Sequence, residues 1–264
     1  MNVLITGAGG GLGRALAMEC AKRGFSLFLT DIHARPLEAI KDGLTRRYDA
    51  SVYTEVCDLT DSGAVRAMLD SAQSRGVEFD MLLNVAGVDF EGGFTERTAG
   101  ELRAIVEINI KATLNLTHEA LERRPEGRPF YIVFVSSLAS MYPMPLKACY
   151  AASKRFLYDF AYALGSELSP SGVSVTTLCP GGLATTEESI AGIAAQGLFG
   201  DLTTNAVETI SRRTITKALR GQRVYVPGVL NQALCVAGKL MPRAAVARVI
   251  HGRWQKARCA VTFS

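Results

Sequence analysis

Histidine and tryptophan are scarce in this chain, with three of the first and one of the second in 264 residues. The six cysteines, at 20, 57, 149, 179, 235 and 259, stand far apart and form no C-x-x-C pair. So few imidazoles and such scattered thiols offer no ligand cluster for a metal and no disulfide framework; they read as reduced, mostly buried thiols. Charge is thin as well, at 20% of residues with a formal net charge of +4 and no long basic run, so nucleic acid is not expected as a partner. No apolar run reaches the roughly 18 to 20 residues that span a bilayer. Residues 3–5 are apolar but run straight into a glycine loop, so no signal peptide is expected and the chain reads as cytoplasmic.

What the chain does have is apolar content, 48% of residues, enough for one large core. Short apolar runs alternate with helical patterns, which predicts a parallel sheet wrapped by helices. Strands are expected over 3–6, 26–30, 51–56, 81–84, 130–136, 173–178 and 223–226, with helices beginning near Gly11, Pro36, Asp61, Thr98, Cys149 and Thr203. Thr98-x-x-Glu101 is a capping box, and the helix it opens continues to about Glu122.

The first strand leads into TGAGGGLG, Thr6 to Gly13. A P-loop would end in Gly-Lys-Ser/Thr, whereas this loop continues into Arg14. G-x-G-x-x-G would need glycine at Leu12 or at Arg14. T-G-x-x-x-G-x-G fits, with Gly7, Gly11 and Gly13 at its fixed positions. Such glycines turn a strand sharply into a helix whose first amides can face a pyrophosphate. Further along, Tyr150 and Lys154 stand four residues apart, on one helical face. A nearby cation favours a phenolate, so the pair is a candidate general acid/base with a tyrosine eased below its ordinary pKa of about 10. Cys149 has no histidine near it in sequence and reads as a structural thiol rather than a nucleophile.

In order, these motifs resemble a classical short-chain dehydrogenase/reductase from residue 1 to about 226: the glycine loop, Asp58-Leu59, Asn84-Val85-Ala86-Gly87, Asn109, Ser136-Ser137, Tyr150-x-x-x-Lys154, and Pro180-Gly181 with Thr185. The resemblance implies a single-domain α/β fold, a Rossmann-type doubly wound sheet of about seven parallel strands with helices on both faces. It implies that Ser137 and Tyr150 hydrogen-bond the substrate oxygen, Tyr150 carrying the proton. It also implies that Lys154 lowers the tyrosine's pKa and holds the nicotinamide ribose, while Asn109 distorts its helix and holds a water that links Lys154 to solvent. Carried over in the same way, the cofactor-binding set is Gly7, Gly9, Gly11, Leu12, Gly13, Asp31, Asp58, Leu59, Asn84, Ala86, Tyr150, Lys154, Pro180, Leu183 and Thr185. Val85 departs from the family, which usually has a second asparagine there, and a modest effect on packing is expected.

Asp31 ends the second strand, where a carboxylate can accept hydrogen bonds from both adenosine ribose hydroxyls and would repel a 2′-phosphate. NAD is therefore favoured over NADP, with Arg14 and Arg35 as the counter-reading. Substrate contacts are expected after the strands, at Phe90, Phe94, Met141, Tyr142, Pro143, Met144, Leu198 and Phe199, which suits an apolar secondary alcohol or ketone such as a steroid, an acyl chain or an aromatic ketone. Glu91, Glu187 and Glu188 read as solvated. Residues 1–228 are expected to form the dinucleotide-binding and catalytic domain. Residues 229–264 form a helical extension packed on that domain, on a partner subunit of a homo-oligomer, or on a membrane surface. A membrane contact would use Arg243, Arg248, Arg253, Lys256 and Arg258 beside Val246, Val249, Ile250 and Trp254. Two functions stay open: an oxidoreductase, or a non-catalytic dinucleotide-binding redox sensor or scaffold. The first is favoured by the presence of Asn109, Ser137, Tyr150 and Lys154 together.

Overall fold

The computed structural model describes residues 1–183 and 204–262, with side chains described to 238 and again over 241–252. Thr185, Glu187, Glu188, Leu198 and Phe199, and the side chains of Arg253, Trp254, Lys256 and Arg258, lie outside the described residues. Seven parallel strands form one sheet in the order β3-β2-β1-β4-β5-β6-β7. They are β1 (Asn2–Thr6), β2 (Ser26–Asp31), β3 (Val52–Val56), β4 (Met81–Asn84), β5 (Phe130–Val135), β6 (Val173–Leu178) and β7 (Val224–Tyr225).

Parallel strands need crossovers, and the helices that make them cover both faces of the sheet. Alternation along each strand splits the core in two. Val3, Ile5, Met81, Leu83, Val133 and Val135 face one layer, where they meet α1 (Gly11–Lys22), α2 (Ala34–Tyr48) and α7 (Val207–Leu219). Leu4, Leu82, Phe130, Ile132 and Phe134 face the other, where they meet α3 (Ser62–Ser74), α5 (Thr113–Glu122) and α6 (Ala148–Leu168). This is the doubly wound architecture predicted from the alternation of runs. Most element ends fall within two residues of those expected. The segment after Thr98 is the exception: α4 (Ala99–Val106) and α5 are joined by a π-turn over Glu107–Ala112.

The sheet's winding reverses between β1 and β4, and there the backbone leaves no room for side chains. Gly7 has φ of +60°, and a Cβ on it would stand 2.8 Å from the Ala86 Cα. A Cβ on Gly13 would stand 2.2 Å from the Gly7 carbonyl oxygen. Thr6 closes the same corner, its Oγ1 accepting from the Val85 and Ala86 amides at 3.0 and 3.1 Å. Val85 thus ties β4 to β1 through its backbone, while its side chain packs against the first core layer.

The chain continues as α8 (Val229–Leu240) and α9 (Arg243–Thr262). Gly238 in α8 lies so close to Tyr142 that a Cβ would fall 2.1 Å from a ring carbon. Asn231 is buried and its Nδ2 donates to the Pro227 carbonyl at 2.8 Å. Along α9, Arg243 and Arg248 are exposed, and Val249 is 57% exposed. Val246 departs from the expected membrane-facing set, because it is buried. Among the described residues, no helix is long and apolar enough to cross a membrane.

Substituting Gly13→Ala should lower stability by about 1 to 3 kcal/mol, the usual cost of overpacking against backbone that cannot step aside. Urea denaturation of the variant beside wild type measures this, and an unchanged midpoint would contradict the close approach.

Candidate active site

The carboxyl ends of the strands carry two groups of the residues singled out in the sequence. The first is the glycine corner. The first helical hydrogen bond of α1 runs from the Arg14 amide to the Gly10 carbonyl, 2.8 Å. The amides of Gly11, Leu12 and Gly13 are therefore the ones the helix leaves for an outside acceptor. Asp31 lies beside them: its Oδ2 accepts from the Gly9 amide at 2.9 Å and its Oδ1 from the His33 amide at 3.1 Å. Arg14, Ile32 and Arg35 are exposed around it.

Other members of the cofactor set are more constrained. Asp58 Oδ1 accepts from the amide and hydroxyl of Thr60, while Leu59 packs on the second core layer. Asn84 is buried, and its side-chain amide is committed to Thr117 Oγ1 at 3.1 Å. The Pro180 carbonyl accepts from the Leu138 amide at 2.7 Å, and Leu183 packs against the first core layer.

The second group surrounds α6. Lys154 is 4% exposed and its Nζ donates to the Val135 carbonyl at 2.9 Å. Burial pulls this ammonium down to about 8, against the opposing pull of Asp89 and Cys179. Asn109 sits in the π-turn, fully buried. Its Oδ1 accepts from the Val88 amide at 2.8 Å, and its Nδ2 donates to the Val88 carbonyl and to Ser153 Oγ, each at 3.0 Å. The extra residue of the π-turn aims this amide inward, and Gly87 packs between it and Lys154: a Cβ there would stand 2.9 Å from Asn109 Oδ1 and 3.2 Å from Lys154 Nζ.

The two serines after β5 divide their work. Ser136 Oγ donates to the Lys154 carbonyl at 2.7 Å, which pins α6 to the sheet. Ser137 caps a 3-10 turn over Leu138–Met141, and its hydroxyl shares a hydrogen bond with the Tyr150 phenol.

The expected easing of Tyr150 by Lys154 is not what the structure shows. Burial pushes the phenol above its ordinary range, Asp89 adds to the rise, and the Ser137 hydrogen bond and the Lys147 ammonium act against it. Lys154 Nζ lies 5.7 Å from the ring centroid, aimed at the Val135 carbonyl.

Lys147, Asp89, Arg97 and His251 were missed in the sequence. Lys147 Nζ pairs with Asp89 Oδ2 at 2.7 Å and with Glu91 Oε2 at 3.0 Å, so Glu91 is an ion-pair partner as well as an exposed side chain. The spacing Lys147-x-x-Tyr150 was the one available signal. Beside Tyr150 opens a cavity of about 260 Å³ whose walls include Phe90, Phe94, Leu102, Ile105 and Leu146, with Arg97 and His251 on its lining. The placement of His251, from α9, had no local signal. Cys149 Sγ donates to the Leu102 carbonyl at 3.7 Å, and burial raises its thiol, which suits a structural role.

The profile of short chain dehydrogenases matches residues 1–210. The chain belongs to this family. Sulfoacetaldehyde reductase 2 of Chromohalobacter salexigens is 32% identical over 216 residues, covering 79% of this chain and 84% of that protein. The probable oxidoreductase EphD of Mycobacterium tuberculosis is 28% identical over 255 residues, 95% of this chain, yet the chain spans only 42% of that relative's length. The 17-beta-hydroxysteroid dehydrogenase type 3 of Mus musculus is 29% identical over 184 residues, 69% of this chain and 60% of that protein. A short-chain dehydrogenase/reductase from Burkholderia phymatum, solved in complex with NAD, shares the fold at a TM-score of 0.79 and 22% identity, covering 89% of this chain and 91% of that one.

One lysine of this family member should titrate with a midpoint of about 8, because burial favours the neutral amine of Lys154. NMR of protein carrying ¹³Cε-lysine should show such a resonance and lose it in Lys154→Met. A spectrum in which every lysine titrates near the ordinary value of about 10.4 would contradict the burial of this charge.

Proposed function

We propose that this protein interconverts a secondary alcohol and a ketone, with Tyr150 carrying the proton. The observation that supports this most is the convergence of the Tyr150 phenol, hydrogen-bonded to Ser137, with the buried ammonium of Lys154 at the carboxyl ends of the strands. A dinucleotide-binding scaffold has no use for a buried lysine beside a hydrogen-bonded tyrosine, whereas alcohol-ketone exchange needs a proton path of this kind.

The residues present fit a nicotinamide dinucleotide. The amides of residues 11–13 suit its pyrophosphate, in a corner where Gly7 and Gly13 let the backbone approach. Asp31 suits the adenosine ribose, and Lys154 the ribose next to the nicotinamide. When bound, the cofactor supplies the hydride acceptor or donor. In the reductive direction, Ser137 holds the carbonyl oxygen while Tyr150 gives it a proton; in the oxidative direction, the tyrosine takes the proton back. Lys154 Nζ, anchored on the Val135 carbonyl, stands beside the phenol ring in both. Asn109 holds Lys154's surroundings rigid by fixing the β4 loop to α6.

The apolar walls beside Tyr150 support an apolar substrate. At about 260 Å³ the cavity lies below the roughly 300 Å³ of small ligand sites, so it takes one arm of the substrate, such as a ring or an acyl segment. Between the sulfoacetaldehyde and hydroxysteroid chemistries named for two relatives, these walls fit the second. A panel of secondary alcohols and ketones, steroids and bile acids included, followed by the absorbance of the reduced nicotinamide, tests the reading. Turnover confined to small anionic aldehydes would overturn the apolar assignment.

Tyr150→Phe should abolish turnover while NAD binding, followed by calorimetry, changes little, because only the transferable proton is lost. Turnover near the wild-type level would remove Tyr150 from its role. NAD should be preferred over NADP by a factor of at least about 100 in kcat/KM, since each charged hydrogen bond to a ribose hydroxyl is worth roughly 1.5 to 3 kcal/mol. Asp31→Ala should erase most of that preference, and adding Ile32→Arg should reverse it. A wild type that favours NADP would show that Arg14 or Arg35 outweighs Asp31.

A further inference from the structure

We propose that Lys147 is a positioning residue for the proton-carrying tyrosine: clamped by Asp89 and Glu91, its ammonium stands 5.7 Å from the Tyr150 ring centroid and balances the charge around the phenol. The proposal rests on the reading of Tyr150 as the proton carrier and adds a second lysine to it. Lys147 and Lys154 stand at the same distance from the ring, but they are held differently. Lys154 is anchored by a backbone carbonyl of the sheet, whereas Lys147 is anchored by two carboxylates of the loop after β4.

The backbone is bent to make this arrangement. Leu146, the residue before Lys147, has φ of +65°, a left-handed conformation costly for a branched side chain. It is held there because its carbonyl accepts from the Gly92 amide at 2.8 Å. The loop after β4 and the start of α6 are therefore fastened twice within two residues, once through the backbone and once through the ion pairs. Such strain persists only where the surroundings over-determine it, and here it delivers Lys147 to Asp89 beside the phenol.

The ion pairs are partly shielded, with side-chain exposures of 17% for Lys147 and 28% for Asp89, so water screens their fields less than at an open surface. Asp89 pushes the Tyr150 phenol up and Lys147 pulls it down. Asp89 also acts on Lys154, in the upward direction. Around this cluster, the loop after β5 contributes Ser137, and Arg97 and His251 face the adjoining cavity. Burial raises the nearby thiols as well, Cys149 upward and Cys179, just after β6, to about 12. Asn109 carries no charge. Lys147 is thus the cation that meets the Asp89 charge where it bears on the phenol.

The test is a titration of protein carrying ¹³Cζ-tyrosine, with the Tyr150 resonance identified by its loss in Tyr150→Phe. Lys147→Met should move the Tyr150 midpoint up by about one pH unit. Asp89→Asn should move it down, Lys147→Met with Asp89→Asn should lie nearer wild type than Lys147→Met, and Lys147→Arg should keep the wild-type midpoint. A merely structural ion pair does not produce shifts of opposite sign. A midpoint unmoved in Lys147→Met, or moved upward in Asp89→Asn, overturns the proposal. If Lys147→Met fails to fold alone, the double variant Lys147→Met with Asp89→Asn is compared with Asp89→Asn, and a midpoint no higher in the double variant overturns the proposal. The two readings fail separately: an active Tyr150→Phe sinks the role of Tyr150, whereas an inactive Tyr150→Phe with unmoved midpoints sinks only that of Lys147.

Discussion

Keeping one ammonium charged inside the protein is the constraint on which the site depends. Lys154 is almost completely buried, and an unpaired ion there would cost more than the fold can supply. The Val135 carbonyl at the end of β5 accepts a hydrogen bond from it, and the missing side chain of Gly87 leaves the space in which Nζ sits. Asn109 closes the far side by satisfying both backbone groups of Val88, so the loop after β4 cannot relax away. Even so, burial draws the ammonium down to about 8, which places its proton within reach of ordinary pH.

The same burial shapes the phenol. Tyr150 is raised because an anion is costly where it sits, and the groups that answer this, Ser137 and Lys147, come from different parts of the chain. Burial and Asp89 thus both favour the protonated phenol. The glycine corner works by geometry alone. Thr6, Gly7 and Ala86 bring the ends of β1 and β4 so close that the helix amides and Asp31 share one crevice.

Much of the fold was readable in order of appearance. Alternating apolar runs marked β4 and β6 to the residue, and Thr98-x-x-Glu101 marked a helix start whose capping box is present, with the Glu101 amide donating to Thr98 Oγ1 at 3.2 Å. The glycine spacing and Tyr150-x-x-x-Lys154 identified the family, because their chemistry is local: a tight turn needs particular residue types in a row, and one helical face needs a fixed spacing. Less readable was the partner of the Asn84 side chain, whose Nδ2 donates to Thr117 Oγ1, because a contact 33 positions away depends on the helix packed on that face of the sheet.

The sequence by itself determined the class of fold and the order of its elements, since each is written in contiguous patterns of apolar period and side-chain type. Only the tertiary structure decided the electrical environment of the Tyr150 phenol. Asp89 and Lys147 are 58 positions apart and meet because β4 and the start of α6 end side by side. His251, from α9, lines the cavity beside Tyr150, and Gly238 of α8 packs on Tyr142. A pKa reports burial and charge in three dimensions, and neither can be counted along a chain.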